Sequence, residues 1–516
     1  MDNLKDILLD EISDFRDFGH KFENKEISTV EFKGTSGGMG VYAHRGGKEF
    51  MIRLRIPSGI MTVEQLKFVY RLAKEKNLES IHTTTRQAIQ LHGLSIDEVC
   101  DVMIEALNNG IYTRGGGGNF PRNVSISPLS GVEKEEEFDV TPYAQAVNNH
   151  FMSKITTYKL PRKLKVSFSN NEKDCGNAKI ADLGFIAVKK DGKDYFKVYI
   201  TGGLGRNAAK AISYDQLIEA KDVLYHVEAM TNLFMAEGDY ENKNKARTRY
   251  ITARMGEEAV LECYKKHLAE VMEKENLDLV VEEKKINKVG TKIELNHNRL
   301  IEQKQEGLYT VNFHPIGGIL KLDTLKTILE SIQNSKDIDI RLAMNESMYI
   351  RNLDGNEAKA LLEVTAKLGG ETKLEQSTSC IGVPTCQIGI AESQSLLHEI
   401  LDYFKEMNFD KDILPAIHIS GCNNSCGTHQ IGTLGFAGKK KRVNDVSKEV
   451  FELHIGGKIG NGEVEFGKIL GDICREDIPK CLYDLAVEID KSGLTYNEFL
   501  VNEKENLDDI VGKYFV

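Results

Sequence analysis

Apolar and basic positions alternate in FMIRLRI (residues 50–56), as on a half-buried strand. TVEQLKFVYRLAKEK (62–76) follows with apolar residues three and four apart, the spacing of one helix face, and SIHTTTRQAIQLHG (80–93) returns to strand character. The order strand, helix, strand recurs in LYTVNFH, LDTLKTILESI and DIRLAMNESMYIRNL. Other blocks keep the same order: RLRIPSGI with VNFHPIGGI, in which Pro57 corresponds to Pro315, LPRKLKVSFSNN with LPAIHISGCNN, DLGFIAV with TLGFAGK, and YITGGLG with LHIGGKIG. The offsets stay between 251 and 259 residues, so the chain reads as two related halves. Each half begins with half of a small α+β sheet, able to pair across a pseudo-twofold axis, and runs into a larger α/β portion. Residues 209–300 are charged and helix-periodic and find no match in the other half; they read as a helical insertion and connector, most solvated over 273–288.

With 516 residues and 41% apolar content, the chain has material for about three domains. A net charge of −11, spread along the sequence, excludes a chain-wide basic face and with it nucleic acid as the main partner. No apolar run is long enough for a membrane span, and the acidic start MDNLKDILLDEISDF is unlike a secretory leader, so a cytoplasmic protein is expected. Nine cysteines fit a reducing compartment better than a disulfide scaffold. Cys100, Cys263, Cys474 and Cys481 lie in periodic, helix-like stretches and read as small buried residues.

The other cysteines lie among Gly, Asn, Thr and Pro. Cys380 and Cys386 are spaced C-x5-C, and Cys422 and Cys426 C-x3-C. Neither structural zinc knuckles nor bacterial ferredoxin runs use these spacings. Four soft thiolates with Gly382, Gly421 and Gly427 beside them suit a [4Fe-4S] cluster, with zinc as the alternative. C-x5-C followed by C-x-N-x-C, preceded by TTTRQ and LPRKLK, resembles the siroheme-dependent sulfite and nitrite reductase family over nearly the whole chain. The resemblance implies an α+β, internally duplicated three-domain architecture with pseudo-twofold related halves: ferredoxin-like half-domains at 28–117 and 306–372, a first α/β domain with helical insertion at 118–305, and a second at 373–516. It implies a [4Fe-4S] cluster held by Cys380, Cys386, Cys422 and Cys426, the last also bridging to the siroheme iron. Cys175 aligns with Cys426 in the repeat but has Ser169 in the place of Cys422 and no cysteine near it, so a second cluster is not expected.

The first half carries positive charge where the second carries sulfur. Period-two alternation puts Thr84, Arg86, Ala88 and Gln90 on one face, and Lys163 and Lys165 on one face. Unit charges ~4 Å apart repel by about 4 kcal/mol at an effective dielectric near 20, so such lysines want solvent or an anion. By resemblance, Arg86, Arg122, Lys163 and Lys165 surround the substrate anion on the distal face of the siroheme, the arginines anchoring and the lysines delivering protons. Siroheme carries eight carboxylates; Arg53, Arg55, Arg114, the flexible run Gly115 to Gly118 and Asn424 are candidates to bind it. The motif Arg162, Lys163, Leu164, Lys165 resembles the R-K-x-K of sulfite reductases and not the R-K-x-N of nitrite reductases. The expected activity is six-electron reduction of sulfite to sulfide, with nitrite to ammonia as the alternative.

GLGRNA at 203–208 fits G-x-G-x-x-A, but no acidic strand end follows about 20 positions later, so it reads as a turn. Without a flavin or nicotinamide site, electrons come from a separate ferredoxin or flavoprotein. Lys439, Lys440, Lys441 and Arg442 form a candidate docking patch on a chain otherwise acidic, or a solvated hairpin tip. A non-catalytic iron–sulfur electron-transfer protein is the remote alternative; His82, His92, His418, His429 and His454 form no recognisable ligand spacing.

Overall fold

The computed structural model describes residues 2–282 and 284–516; Glu283, within the stretch expected to be most solvated, lies outside the described residues. Two five-stranded antiparallel sheets form the middle of the molecule. The first runs in the order Val41–Ala43, Phe50–Leu54, Ile89–Leu94, Ser80–Thr83, Ile319–Lys321, and the second Leu300–Glu302, Leu308–Phe313, Met348–Asp354, Asp339–Leu342, Ile60–Met61. Each sheet thus ends on a strand from the other half: Ile319 lies opposite His82, and Ile60 opposite Arg341. One continuous core, from Phe50 and Ile52 through Leu325 to Ile350 and Leu361, fills the space between the sheets and their helices. Val63–Glu75 shows how the helices are specified: Thr62 and Gln65 close a capping box, and the apolar face Leu66, Val69, Leu72 enters that core.

The α/β portions have cores of their own. In the first, Ser125–Ile126, Val166–Ser169 and Leu183–Lys190 are parallel, and Lys193–Ile200 turns back antiparallel. In the second, Thr378–Ser379, Ile417–Ser420, Leu434–Val443 and Val446–Ile455 repeat this pattern. Left-handed backbone recurs at matching places: Ser58 and Gly317 at φ 55° and 58°, Gln87 and Glu346 at 54° and 71°, Asp174 and Ser425 at 52° and 55°, Asn177 and Thr428 at 61° and 56°. The duplication is therefore structural down to single residues.

Four expectations need correction. Residues 209–300 are not an unmatched insertion: helices Val223–Glu237, Arg249–Met255 and Glu257–Lys274 correspond in order to Ile478–Ser492, Tyr496–Asn502 and Lys504–Gly512. Only an apolar stripe is needed to seat such a helix, so the two copies share a pattern and few residues. The irregular connector is the stretch after Lys274. Second, SIHTTTRQAIQLHG is two strands and a turn, not one strand; Thr84 N donates to Ala88 O at 3.0 Å, and Arg86 sits at the tip. Third, the short turns Pro57–Gly59 and Ile316–Gly318 superpose by their left-handed residues, which leaves Pro315 one position before the equivalent of Pro57. Fourth, Ser169 occupies the place of Ser420: Gly176 N donates to Ser169 Oγ and Gly427 N to Ser420 Oγ, both at 3.0 Å. The equivalent of Cys422 is Asn171, by the same register.

Candidate active site

The second α/β portion supplies sulfur. Cys380 ends the short strand Thr378–Ser379, Cys386 follows in an irregular loop, and Cys422 and Cys426 lie in the turns after Ile417–Ser420. Glycines keep these turns tight: a Cβ on Gly427 would lie 2.0 Å from Ile419 O, and on Gly421 2.6 Å from Ala391 O. Gly421 N donates to Cys380 Sγ at 3.1 Å, Ser393 Oγ lies 3.3 Å from the same sulfur, and Asn424 Nδ2 donates to Cys422 Sγ at 3.4 Å. Burial pushes the Cys380 thiol up to about 12, and Cys426 adds to the effect; burial also raises Cys386 and Cys422, each again with a contribution from Cys426. The charge of Cys426 is therefore felt at each of the other three thiols. Among the described residues no three His, Cys, Asp or Glu side chains converge closely enough for a single metal ion. A converging but spread set of thiols, with N–H and O–H donors aimed at the sulfurs, fits a cluster that spaces its ligands and carries charge to them.

The first half supplies cations. Arg86 donates to Asn123 O at 2.5 Å and Ser125 Oγ at 3.1 Å, and its Nε is buried without a partner. Arg122 bonds through its backbone to Leu164 O at 2.8 Å, while Nη1 has no partner. Lys163 and Lys165 keep partial solvent contact although protein encloses them, as side chains lining a chamber do. Burial, then Arg247 and Arg122, lowers Lys163 to about 7; burial, then Arg86 and Lys163, holds Lys165 well below the ordinary lysine range. Burial and mutual repulsion bring Arg86 and Arg122 to about 10. The opposing pull on Lys163 comes from Cys426, so this sulfur lies within reach of the cation set. Two contacts hold the halves in register: Thr85 Oγ1 donates to Cys426 O at 2.8 Å, and Gly205 and Gln430 exchange two hydrogen bonds at 2.9 and 3.0 Å. The 203–208 segment is accordingly a turn bracing the cysteine loop, with no helix after it.

The remaining candidates divide. Arg53 donates to Gly116 O at 2.8 Å and, with the Gln90 amide turned, to Gln90 Oε1 at 2.6 Å. Arg55 is buried, bonded to the carbonyls of Gly115, Pro121 and Arg122, and lowered to about 9 by burial, Arg122 and Arg86. It belongs to the cation group and shapes the Arg122 loop. Arg114 pairs with Glu11 at 2.8 Å and ties in the N-terminal helix Asp2–Glu23. The run Gly115 to Gly118 is not a flexible loop: Gly115 N donates to Gly38 O at 2.8 Å, and a Cβ on Gly117 would lie 2.2 Å from Gly37 O. Asn424 is exposed and lies near Gly205.

Sequence reasoning missed Asp182, Arg247 and Tyr42. Fully buried Asp182 accepts from Lys165 N and Arg247 Nη2, both at 2.8 Å, and from Thr248 Oγ1. Arg247 Nε and Arg249 Nη1 are buried without partners. The R-T-R run was a signal, obscured by assigning it to an insertion. Tyr42 is lowered against its burial by Arg122 and Arg53. Buried guanidinium N–H groups left unpaired, beside lysines that cannot easily stay charged, call for an anionic occupant. A carboxylate-rich macrocycle with an anionic substrate meets that need, so the residues fit siroheme as well as the cluster.

The fold and this site define a redox enzyme built on a duplicated frame, with four cysteines supplied by one half and buried, partly unpaired cations by the other. Residues 117–272 match the nitrite and sulphite reductase 4Fe-4S domain, and residues 42–109 and 301–368 each match the nitrite/sulfite reductase ferredoxin-like half domain. The ferredoxin–nitrite reductase of Synechococcus elongatus is 26% identical over 85% of this chain and 86% of its own length. The sulfite reductase [NADPH] hemoprotein beta-component of Geobacillus thermodenitrificans is 27% identical over 83% of this chain and 78% of its own. In fold, the NirA protein of Mycobacterium tuberculosis superposes with a TM-score of 0.79 at 21% identity, covering 94% of this chain and 92% of that one. The chain belongs to the nitrite and sulfite reductase family, an oxidoreductase whose cofactors are siroheme and a [4Fe-4S] cluster.

Proposed function

We propose that this enzyme reduces sulfite to sulfide, taking electrons one at a time from a separate carrier protein. The observation that carries the reading is the pair Lys163 and Lys165, enclosed with Arg86, Arg122 and Arg247 on the chamber that Cys426 faces. Cys380, Cys386, Cys422 and Cys426 would hold the cluster, Cys426 also meeting the siroheme, and Arg53, Arg55, Arg114 and Asn424 are the candidates beside the macrocycle. When bound, the two cofactors supply the electrons and the iron to which the substrate attaches.

The protein's own residues handle charge and protons. Arg86 and Arg122 stay cationic and attract the anion; their unpaired N–H groups give it donors. Lys163, near 7, is poised between charged and neutral at neutral pH, the condition that makes a proton donor effective. Burial, then Arg86 and Lys163, disfavours the charged form of Lys165; a bound anion favours the ammonium form, so anion binding and protonation of Lys165 support one another. Asp182 fixes the backbone of Lys165 and the guanidinium of Arg247, holding both toward the chamber.

The second reading is nitrite reduction in the same chamber, since relatives of both names match the chain about equally. The test is anaerobic turnover of the cofactor-loaded protein with a reduced viologen, comparing kcat/KM for the two anions. Sulfite preferred, and shifted toward nitrite by Lys165→Asn, is the expected result; nitrite strongly preferred by the parent overturns the lysine argument.

A further inference from the structure

The first sheet carries a row of polar side chains that the reduction chemistry does not use. Arg53 on Phe50–Leu54 lies opposite Gln90 on Ile89–Leu94, and Gln90 opposite His82 on Ser80–Thr83. With its oxygen toward Arg53, the Gln90 amide accepts from Nη2 at 2.6 Å and Nε at 3.2 Å, and its nitrogen donates to His82 Nδ1 at 3.0 Å. The same nitrogen lies 3.3 Å from His92 Nε2. His92 Nδ1 in turn lies 3.2 Å from His44 Nε2, and His44 Nδ1 lies 3.3 Å from Oε2 of the exposed Glu49.

An amide nitrogen offers two hydrogens and no lone pair, so both imidazole nitrogens that face it have to be unprotonated. His92 then carries its proton on Nδ1 and donates to His44, and His44 carries its own on Nδ1 and donates to the Glu49 carboxylate. Every bond in the row points outward, from Gln90 to Glu49. Burial holds the His44 and His92 rings below the ordinary imidazole range and His82 down to about 4, so all three are neutral at neutral pH, as this pattern requires. Reversing one ring would oblige Gln90 to turn its oxygen to the histidines, which aims two N–H groups at the Arg53 guanidinium and removes its acceptor. The outer end is itself held: His44 N donates to Glu49 O at 2.7 Å, and the adjoining Arg45 donates from its backbone to Thr385 O at 3.2 Å and from its guanidinium to Gly389 O at 2.6 Å. In the other half, by the register of Gln87 and Glu346, the equivalents of Arg53, Gln90 and His92 are Asn312, Tyr349 and Arg351. The duplicated frame stands without such a row, so the row serves something that only the first half has.

We propose that Gln90, His92, His44 and Glu49 are a positioning row for Arg53: the outward run of donors keeps the Gln90 oxygen on the guanidinium and so holds Arg53 in place for a carboxylate of the siroheme. The inference rests on the reading of Arg53 as a residue beside the macrocycle. Arg53 Nη1 also donates to Gly116 O at 2.8 Å, so the guanidinium is gripped from two sides. One N–H on each terminal nitrogen is then left over, a pair suited to a single carboxylate. None of the three outer residues needs to touch the macrocycle; each acts through the orientation of the next.

The test uses the holoenzyme and follows siroheme loss, read from the visible spectrum of the protein after timed dilution and gel filtration, with cluster iron assayed in the same fractions. His44→Phe, which breaks the row, is expected to speed siroheme loss about tenfold, the usual scale when the partner behind a ligand is removed. His44→Gln, which can still accept from His92 and donate to Glu49, should lose it at the parent rate. At the exposed end, Glu49→Gln still accepts and should match the parent, whereas Glu49→Lys can only donate and should act like His44→Phe. In a Gln90→Glu background, where a carboxylate accepts from Arg53 whatever the tautomers, His44→Phe should have no further effect. Unchanged loss in His44→Phe and Glu49→Lys overturns the proposal, as does the same acceleration by His44→Phe in the Gln90→Glu background, the mark of mere loosening. Arg53→Ala separates the two readings. If siroheme stays bound without the guanidinium, Arg53 is not beside the macrocycle and the proposal falls with that reading; if siroheme is lost while the His44 variants behave as the parent, only the row falls.

Discussion

At the residue scale, the duplicated positions Gln87 and Glu346 show how one substitution changes chemistry while geometry is kept. Gln87 accepts from Ile126 N at 2.9 Å and donates to Leu342 O at 2.7 Å and Ile126 O at 2.9 Å, joining the halves. Glu346 accepts from Ser379 N at 3.1 Å in the equivalent way, but a carboxylate has no N–H to donate where Gln87 has one. Burial accordingly raises Glu346 to about 8. Between the ordinary carboxyl range and about 8, the folded protein holds a proton that the unfolded chain lacks, so this group's contribution to stability falls as pH rises across that window. Glu346→Gln should remove this loss and raise the denaturation midpoint at pH 8 relative to pH 5, measured in parallel denaturant titrations. Lys163 gives a second pH prediction. With Lys163 near 7, kcat/KM should fall as pH rises through about 7, while the limb in kcat lies higher because the bound anion favours the ammonium form. Lys163→Ala should abolish both limbs and most of the turnover while the visible spectrum of the cofactors is retained.

At the scale of elements, the exchanged strands make the halves interdependent. Gly59, at φ +71°, precedes the exchanged strand Ile60–Met61; a Cβ there would stand 2.7 Å from Leu342 O and 2.9 Å from Gln87 Cβ. Gly59→Ala combines left-handed strain with a backbone clash from the partner half and should cost about 2–4 kcal/mol, read from the shift in urea midpoint at constant m. Its counterpart Gly318 meets Thr83 O at 2.6 Å, and Gly318→Ala should cost a similar amount. These glycines were legible as turn residues in PSGI and IGGI. That each turn presses on the other half was not, because the backbone it meets, Leu342 for Gly59 and Thr83 for Gly318, belongs to the other half, far away in sequence.

Across the whole molecule, the three large cores draw on none of Cys380, Cys386, Cys422 and Cys426; the cysteines that do join them are Cys100 and Cys481. Cys422→Ser should therefore lose iron and siroheme absorbance yet keep the far-ultraviolet dichroism and a cooperative melt of the parent. The repeat and the strand–helix–strand order were readable from order and spacing, because duplication preserves offsets, and the paired cysteines stood out by their rarity; the cation set was legible only through the family resemblance, since two lysines on one strand face are ordinarily a solvated surface. Residue patterns fell short where a helix needs only an apolar stripe, as over 223–274, and where a turn imitates strand alternation, as at Thr84 to Ala88. The partners were beyond reach in sequence: Asp182 beneath Lys165, Arg247 beside it, Asp472 neutralising Lys439, and Arg45 clasping the Cys386 loop. The amino-acid order by itself determined which chemistry this chain carries. Which charges stand free and which are paired was decided only by tertiary structure, since pairing depends on distances set by segments far apart in the chain.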